Sequence, residues 1–400
     1  MEYDYISSAS DLANFCDAAR SAPAIFYDTE FVSEDTYRPE LCLIQVAAGD
    51  RLAIIDPYEV GSCLPFWELI TSGDHHTVVH AGREEFRFCW HETKTKPRNL
   101  FDVQIAAGLI GLEYPASYGK LIAKLLGQKL PKGETRTNWR QRPLTDKQLE
   151  YALLDVHHLP EIRDKIVAQL EKLGRLEWFD AEITRWQDDL IESETTEKWR
   201  RVSGVSGLSN KALVIVRELW RWREKEAAKT NRPPRRILRD DLIVELARRG
   251  KGELRSIKAI RGIERSGAKR YLEEIADAVA RAQSKPHEPW QRFTKHSMPN
   301  QVTVLGQFLN TALTSICRSH SLAPSIVGTA QDVRDFVALE LGFYPKDDPT
   351  PRLATGWRAE IVGASLRDLL RGRVAIRIED PLSDHPLQFD KVEDSPPNDA

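Results

Sequence analysis

The stretch Ile25-Phe26-Tyr27-Asp28-Thr29-Glu30-Phe31 sets two carboxylates into an otherwise apolar and aromatic run. Its aromatic and β-branched residues favour a strand, continued by Val32. Side chains alternate faces along a strand, so Asp28 and Glu30 project to the same side. Two carboxylates a few ångströms apart beside apolar neighbours repel each other and lose hydration. A cation between them would offset both costs. A solvated face of an edge strand is the other reading of this pair, and the rest of the chain decides between them.

Two further apolar runs, 41–47 and 51–56, flank Gly49-Asp50, which predicts a hairpin. With 25–31 they make an antiparallel meander of three strands. A helical segment around 66–70 leads to a short strand, 77–80. Helical spacing follows over 81–90, then a short strand, 99–103, entering a helix at 104–111. A mixed sheet flanked by helices is an α/β layer architecture. Thr145 with Gln148 three residues on predicts a capping box. The helix it opens carries Tyr151 and Asp155, four apart and therefore on one face. An amphipathic stretch, 161–192, closes a first domain over residues 1–192.

Four hundred residues exceed one ordinary core. A second block, 199–285, is helical throughout: a long helix with Leu213, Val216, Leu219 and Trp220 at helical spacing, a break at Pro233-Pro234, helices at 240–249 and 253–262, and a last one at 267–282 capped by Ser266. Residues 200–285 hold 23 Lys/Arg against 11 Asp/Glu, a net of +12 in a chain of net charge −3. A basic block beside an acidic body points to a polyanion such as nucleic acid. Its alternative is an Arg-rich, salt-bridged helical surface. A linker is expected at 286–299, a further helical domain at 300–375, and an acidic, Pro-rich, disordered tail at 376–400. The five cysteines are scattered without a C-x-x-C, so neither a disulfide framework nor a thiolate zinc site is indicated. The opening residues lack the basic and apolar regions of a signal peptide, and no run reaches the roughly 18 apolar residues of a membrane helix. A cytoplasmic protein without membrane association is expected.

Three strings, DTEF, HAGREEF and TNWRQRPLTDKQLEYALLDVHHL, together resemble ribonuclease D, of the 3′-to-5′ exonuclease superfamily with an RNase H-like fold. The resemblance covers roughly residues 1–190. It continues in the basic block, which resembles the HRDC domain shared with RecQ helicases, while 300–375 looks like a diverged second copy. The resemblance implies Asp28, Glu30 and Asp155 as metal carboxylates, with Tyr151 beside the attacking water. The family's pattern usually places an aspartate where this chain has Glu85. Glutamate keeps the charge and adds a methylene, so Glu85 is expected to serve as the fourth ligand with looser contact to one metal. Glu84 would point roughly 100° away around a helix. Hydrolysis of a phosphodiester by two ions, Mg²⁺ or Mn²⁺, suits such an all-oxygen set. Tyrosine ionises near pH 10, so Tyr151 is expected to orient the water more than deprotonate it.

Other residues keep two readings each. Asp102 is a rival carboxylate or an N-cap. His80 packs internally or touches the terminal nucleotide. Gln45, an amide inside an apolar strand, supports the active site, touches substrate or serves internal structure. Arg136 and Arg142 could approach an RNA backbone, and Trp139 could join them or the core. No phosphate-binding G-x-x-x-x-G-K-[ST] loop is present, so no nucleotide cofactor is expected. The resemblance implies a metal-dependent exoribonuclease acting on tRNA precursors and other small structured RNAs and releasing 5′-mononucleotides. The alternatives are a DNA exonuclease of repair, or an RNA-binding protein whose catalysis is impaired at Glu85. Nothing demands more than a monomer.

Overall fold

The computed structural model describes residues 1–130, 137–264, 267–284, 298–383 and 385–392. The first of its sheets has six strands: β1 (Asp4–Ile6), β2 (Ala24–Val32), β3 (Glu40–Ala48), β4 (Arg51–Ile55), β5 (His76–Val79) and β6 (Leu100–Asp102), in the order β1-β4-β3-β2-β5-β6. The meander β2-β3-β4 is antiparallel, and β1, β5 and β6 join in parallel pairings. Gly49 takes φ of 59° in the two-residue turn between β3 and β4, a conformation open to glycine at no steric cost. The sequence reading omits β1 and the helix Ala9–Ala19 that comes after it.

β2 is central, and its two faces have different jobs. On one, Tyr27 meets Phe66 edge-on at 5.4 Å and Phe31 meets Phe88 at 5.9 Å, which packs the helices Leu64–Ser72 and Arg83–Thr93 against the sheet. On the other lies the helix Asp146–His157, whose Ala152 and Leu153 share a cluster with Leu43, Ile54, Trp139 and Leu144. Its start is the expected capping box: Thr145 accepts from the Gln148 backbone, and the Gln148 side chain accepts from the Thr145 backbone. The 161–192 stretch is two helices, Leu159–Lys172 and Leu176–Thr195.

Residues 199–284 build a separate apolar core around the helix Asn210–Thr230, to which Tyr37 from the loop after β2 adds its ring. The helices from Asn300 onward behave differently. Their apolar residues share one continuous core with the sheet domain. Trp178 stacks on Trp357 at 5.0 Å, and buried Glu182 binds Arg352 and Arg358 at 2.6 and 2.7 Å. Most of the 286–299 linker, the Ser266 cap and the end of the 376–400 tail lie outside the described residues. The expectation of a disordered tail over 376–400 needs correction in its first part. There β7 (Val374–Ile378) pairs antiparallel with β8 (Leu387–Lys391), because alternating apolar residues such as Ile376 and Phe389 can pack against the neighbouring helices.

Candidate active site

Asp28 and Glu30 project from β2 toward the helix Asp146–His157, and the pairing of β2 with β3 shifts register just after Glu30. Such bulges re-aim side chains beside active sites. Both carboxylates keep part of their surface open. Tyr151 and Asp155 enter from that helix, also partly open, with the phenol beside the Asp155 carboxylate. Glu85 arrives from the other side, in the first turn of Arg83–Thr93, where a helix N-terminus favours a negative group. It is only 4% exposed.

The loop that delivers Glu85 is braced by Asp102. This carboxylate accepts from the backbone of Ala81 at 3.1 Å, Gly82 at 2.9 Å and Gln104 at 2.8 Å. A Cβ at Gly82 would stand 2.4 Å from Val79, so only glycine permits this close approach. Asp102 is therefore the N-cap of Val103–Leu109 and is fully engaged in holding backbone. Glu84 turns away to Arg87, 2.6 Å distant.

The electrostatics follow from this convergence. Asp28 is pushed well above the usual carboxylate range by withdrawal from water and then by the charges of Glu85, Asp155 and Glu30. Withdrawal from water, with Asp155 and Glu85 nearby, raises Glu30 to about 8. Glu85 and Asp155 are each raised to about 7, chiefly by burial. Gln45 sits opposite Asp28 on β3, fully buried, and donates to Asp28 Oδ2 at 3.2 Å, while its own Oε1 has no partner. Among the described residues no group of three His, Cys, Asp or Glu is closed into a ready ligand shell. The donor chemistry nonetheless fits hard divalent cations: four carboxylates, oxygen donors only, whose mutual repulsion a cation would relieve.

The remaining candidates separate. His80 binds the Ala116 carbonyl through Nε2 at 2.9 Å, with its ring 5.4 Å from that of Tyr118. Its contacts are those of a packing histidine. Trp139 is core, 5% exposed, behind Tyr151. Arg136 lies outside the described residues. Arg142 corrects the sequence reading: its guanidinium is bound to Asp56 at 2.5 Å and to the carbonyls of Cys42 and Trp139, with Asp56 itself wholly buried. With its donors so engaged, it is a structural tie and not an RNA contact. Two neighbours escaped the sequence reading. Thr29 donates to Glu85 Oε1 at 2.5 Å, and Tyr118 donates to the Leu154 carbonyl. The only signal for Thr29 is its place between two carboxylates, since threonine in a strand is ordinary.

The comparisons with known proteins decide the family. A ribonuclease D of Gluconacetobacter diazotrophicus is 30% identical over 378 residues, covering 94% of each chain. The chain belongs to the ribonuclease D family. A ribonuclease D of Sphingobium indicum is 31% identical over 380 residues, 94% of this chain and 96% of the relative. Residues 3–171 match the 3′-5′ exonuclease family and residues 212–279 the HRDC domain. The crystal structure of Escherichia coli RNase D, an exoribonuclease involved in structured RNA processing, superposes with a TM-score of 0.80 at 26% identity, covering 93% of this chain and 99% of that one. As a ribonuclease D, the chain is a 3′-5′ exoribonuclease with a metal-dependent exonuclease domain of the RNase H-like superfamily, and its substrate is RNA. No helix among the described residues is long and apolar enough to cross a membrane.

Proposed function

We propose that this exoribonuclease trims short 3′ extensions from tRNA precursors and other small structured RNAs, as a cytoplasmic monomer, releasing 5′-mononucleotides. The observation that carries the reading is the convergence of Asp28, Glu30, Glu85 and Asp155 from three elements, with Tyr151 beside Asp155. These four carboxylates would hold two divalent ions, Mg²⁺ or Mn²⁺, which when bound supply charge neutralisation at the scissile phosphate and activation of the nucleophile.

The chain's own residues do the rest. Burial and the neighbouring carboxylates push the Tyr151 phenol further up from its usual range, so it stays protonated at neutral pH. It acts as a hydrogen-bond donor and acceptor that orients the attacking water. Gln45 fixes one Asp28 oxygen with an uncharged donor, so Asp28 is oriented without a competing cation. Tyr151 is kept in place by Trp139 behind it, with ring centroids 6.2 Å apart. The basic 199–284 domain binds phosphates without reading bases, so affinity should fall steeply with salt.

The test offers a tRNA precursor with a short 3′ extension, an unstructured RNA of equal length and a matched DNA, each in Mg²⁺. The reading expects 5′-mononucleotides from both RNAs and trimming of the precursor that stops near its acceptor stem. Digestion of the DNA at the rate of RNA, or products other than 5′-mononucleotides, would contradict it.

A further inference from the structure

Glu85 carries an arm one methylene longer than an aspartate at the same position would. The extra methylene adds a rotatable bond, and with it conformations that must be lost before the carboxylate can meet a cation. Thr29 stands where it can remove that freedom. It lies between Asp28 and Glu30 on β2, 5% exposed, and as a β-branched residue it is stiff at χ1. Its hydroxyl donates to Glu85 Oε1 at 2.5 Å, the length of a charge-assisted O–H···O⁻ bond. The helix bearing Glu85 is held independently, through the Asp102 bonds to Ala81 and Gly82.

Resting on the ligand assignment above, we propose that Thr29 is a positioning residue. By holding Oε1 it locks the Glu85 arm, so that the carboxylate meets the cation through its other oxygen. An aspartate would be shorter by about 1.5 Å, one carbon–carbon bond, and would not reach the Thr29 hydroxyl. The role of Thr29 is thus tied to glutamate at position 85 and vanishes with it.

The experiment titrates Mn²⁺ alone into the full chain and reads free Mn²⁺ by electron paramagnetic resonance. It compares Thr29→Val and Thr29→Ser in the native background and after Glu85→Asp. Thr29→Val should weaken Mn²⁺ binding about 10-fold, as loss of a partner behind a metal ligand does. Thr29→Ser, which keeps the hydroxyl, should stay within about 2-fold of the native chain, and Thr29→Val after Glu85→Asp should change affinity by less than about 2-fold. An equal loss in both backgrounds, or none in the native one, overturns the proposal. Thr29→Ala replaces Thr29→Val if the latter does not fold, with the same expected pattern. Asp28→Asn is titrated alongside. Native affinity in Asp28→Asn would defeat the ligand assignment itself. Weak binding there with native binding in Thr29→Val would defeat only the role of Thr29.

Discussion

Glu30 ionises near pH 8 in the folded chain against 4.5 for an unperturbed glutamate, because β2 withdraws it from water beside Asp155 and Glu85. Between those values the folded state keeps a proton that the unfolded state has released. A metal-free chain therefore loses stability as pH rises from about 4.5 to about 8, with no such loss below 4.5, where both states are protonated. Glu85 and Asp155, each raised to about 7, act in the same sense. Calorimetry in EDTA should show Tm falling between about pH 4.5 and about pH 8, and Mg²⁺ should raise Tm more at the upper end of that range than at the lower. A Tm that climbs with pH in EDTA would contradict this. Tyr151→Phe should lower kcat by about 10²-fold or more with little change in KM, as the role proposed for the phenol at the attacking water requires. The alternation of Asp28 with Glu30 and the four-residue spacing of Tyr151 and Asp155 are legible in the sequence because both are local periodicities. Thr29 is not, because its partner lies 56 residues on and nothing nearby in sequence announces it.

Elements tell the same story of local and distant causes. The Gly49-Asp50 turn, the Thr145 capping box and the cap at Asp102 can be read from a few adjacent residues. β1 cannot: its residues gain their strand character from parallel pairing with β4, far along the chain. Arg142 misleads for a related reason, since a basic residue in a basic stretch looks free until the chain folds Asp56 against it. The tie also involves Tyr5, which donates to Asp56 at 2.6 Å, and it clamps the segment before Asp146–His157 to the end of β4. Arg142→Ala should destabilise the fold by about 3–5 kcal/mol, the cost of leaving a buried charge unpaired. It should leave the salt dependence of RNA binding unchanged, whereas a lost phosphate contact would lower that slope by about 1. Denaturant melts and binding at two salt concentrations separate the outcomes.

At the scale of the whole molecule, the order of segments along the chain is not the order of packing. The basic 199–284 domain keeps its own core, while the helices from Asn300 share theirs with the sheet domain through Trp178, Trp357 and the Glu182–Arg358 pair. Composition announces the basic domain. The shared core is invisible to it because the contacts join residues as far apart as Glu182 and Arg352, 170 positions along the chain. Hydrogen exchange should find 300–370 protected together with the sheet domain, with 199–284 opening separately; independent opening of 300–370 would contradict this. The central claim is that the carboxylates gathered around Asp28 carry out the exonuclease reaction. The most direct measurement follows a 5′-labelled RNA with a 3′ extension, incubated with the native chain or with Asp28→Asn, in Mg²⁺ or in EDTA. Stepwise shortening from the 3′ end by the native chain in Mg²⁺, abolished both by EDTA and by Asp28→Asn with RNA binding retained, is the predicted result. Shortening by Asp28→Asn at the native rate would contradict it.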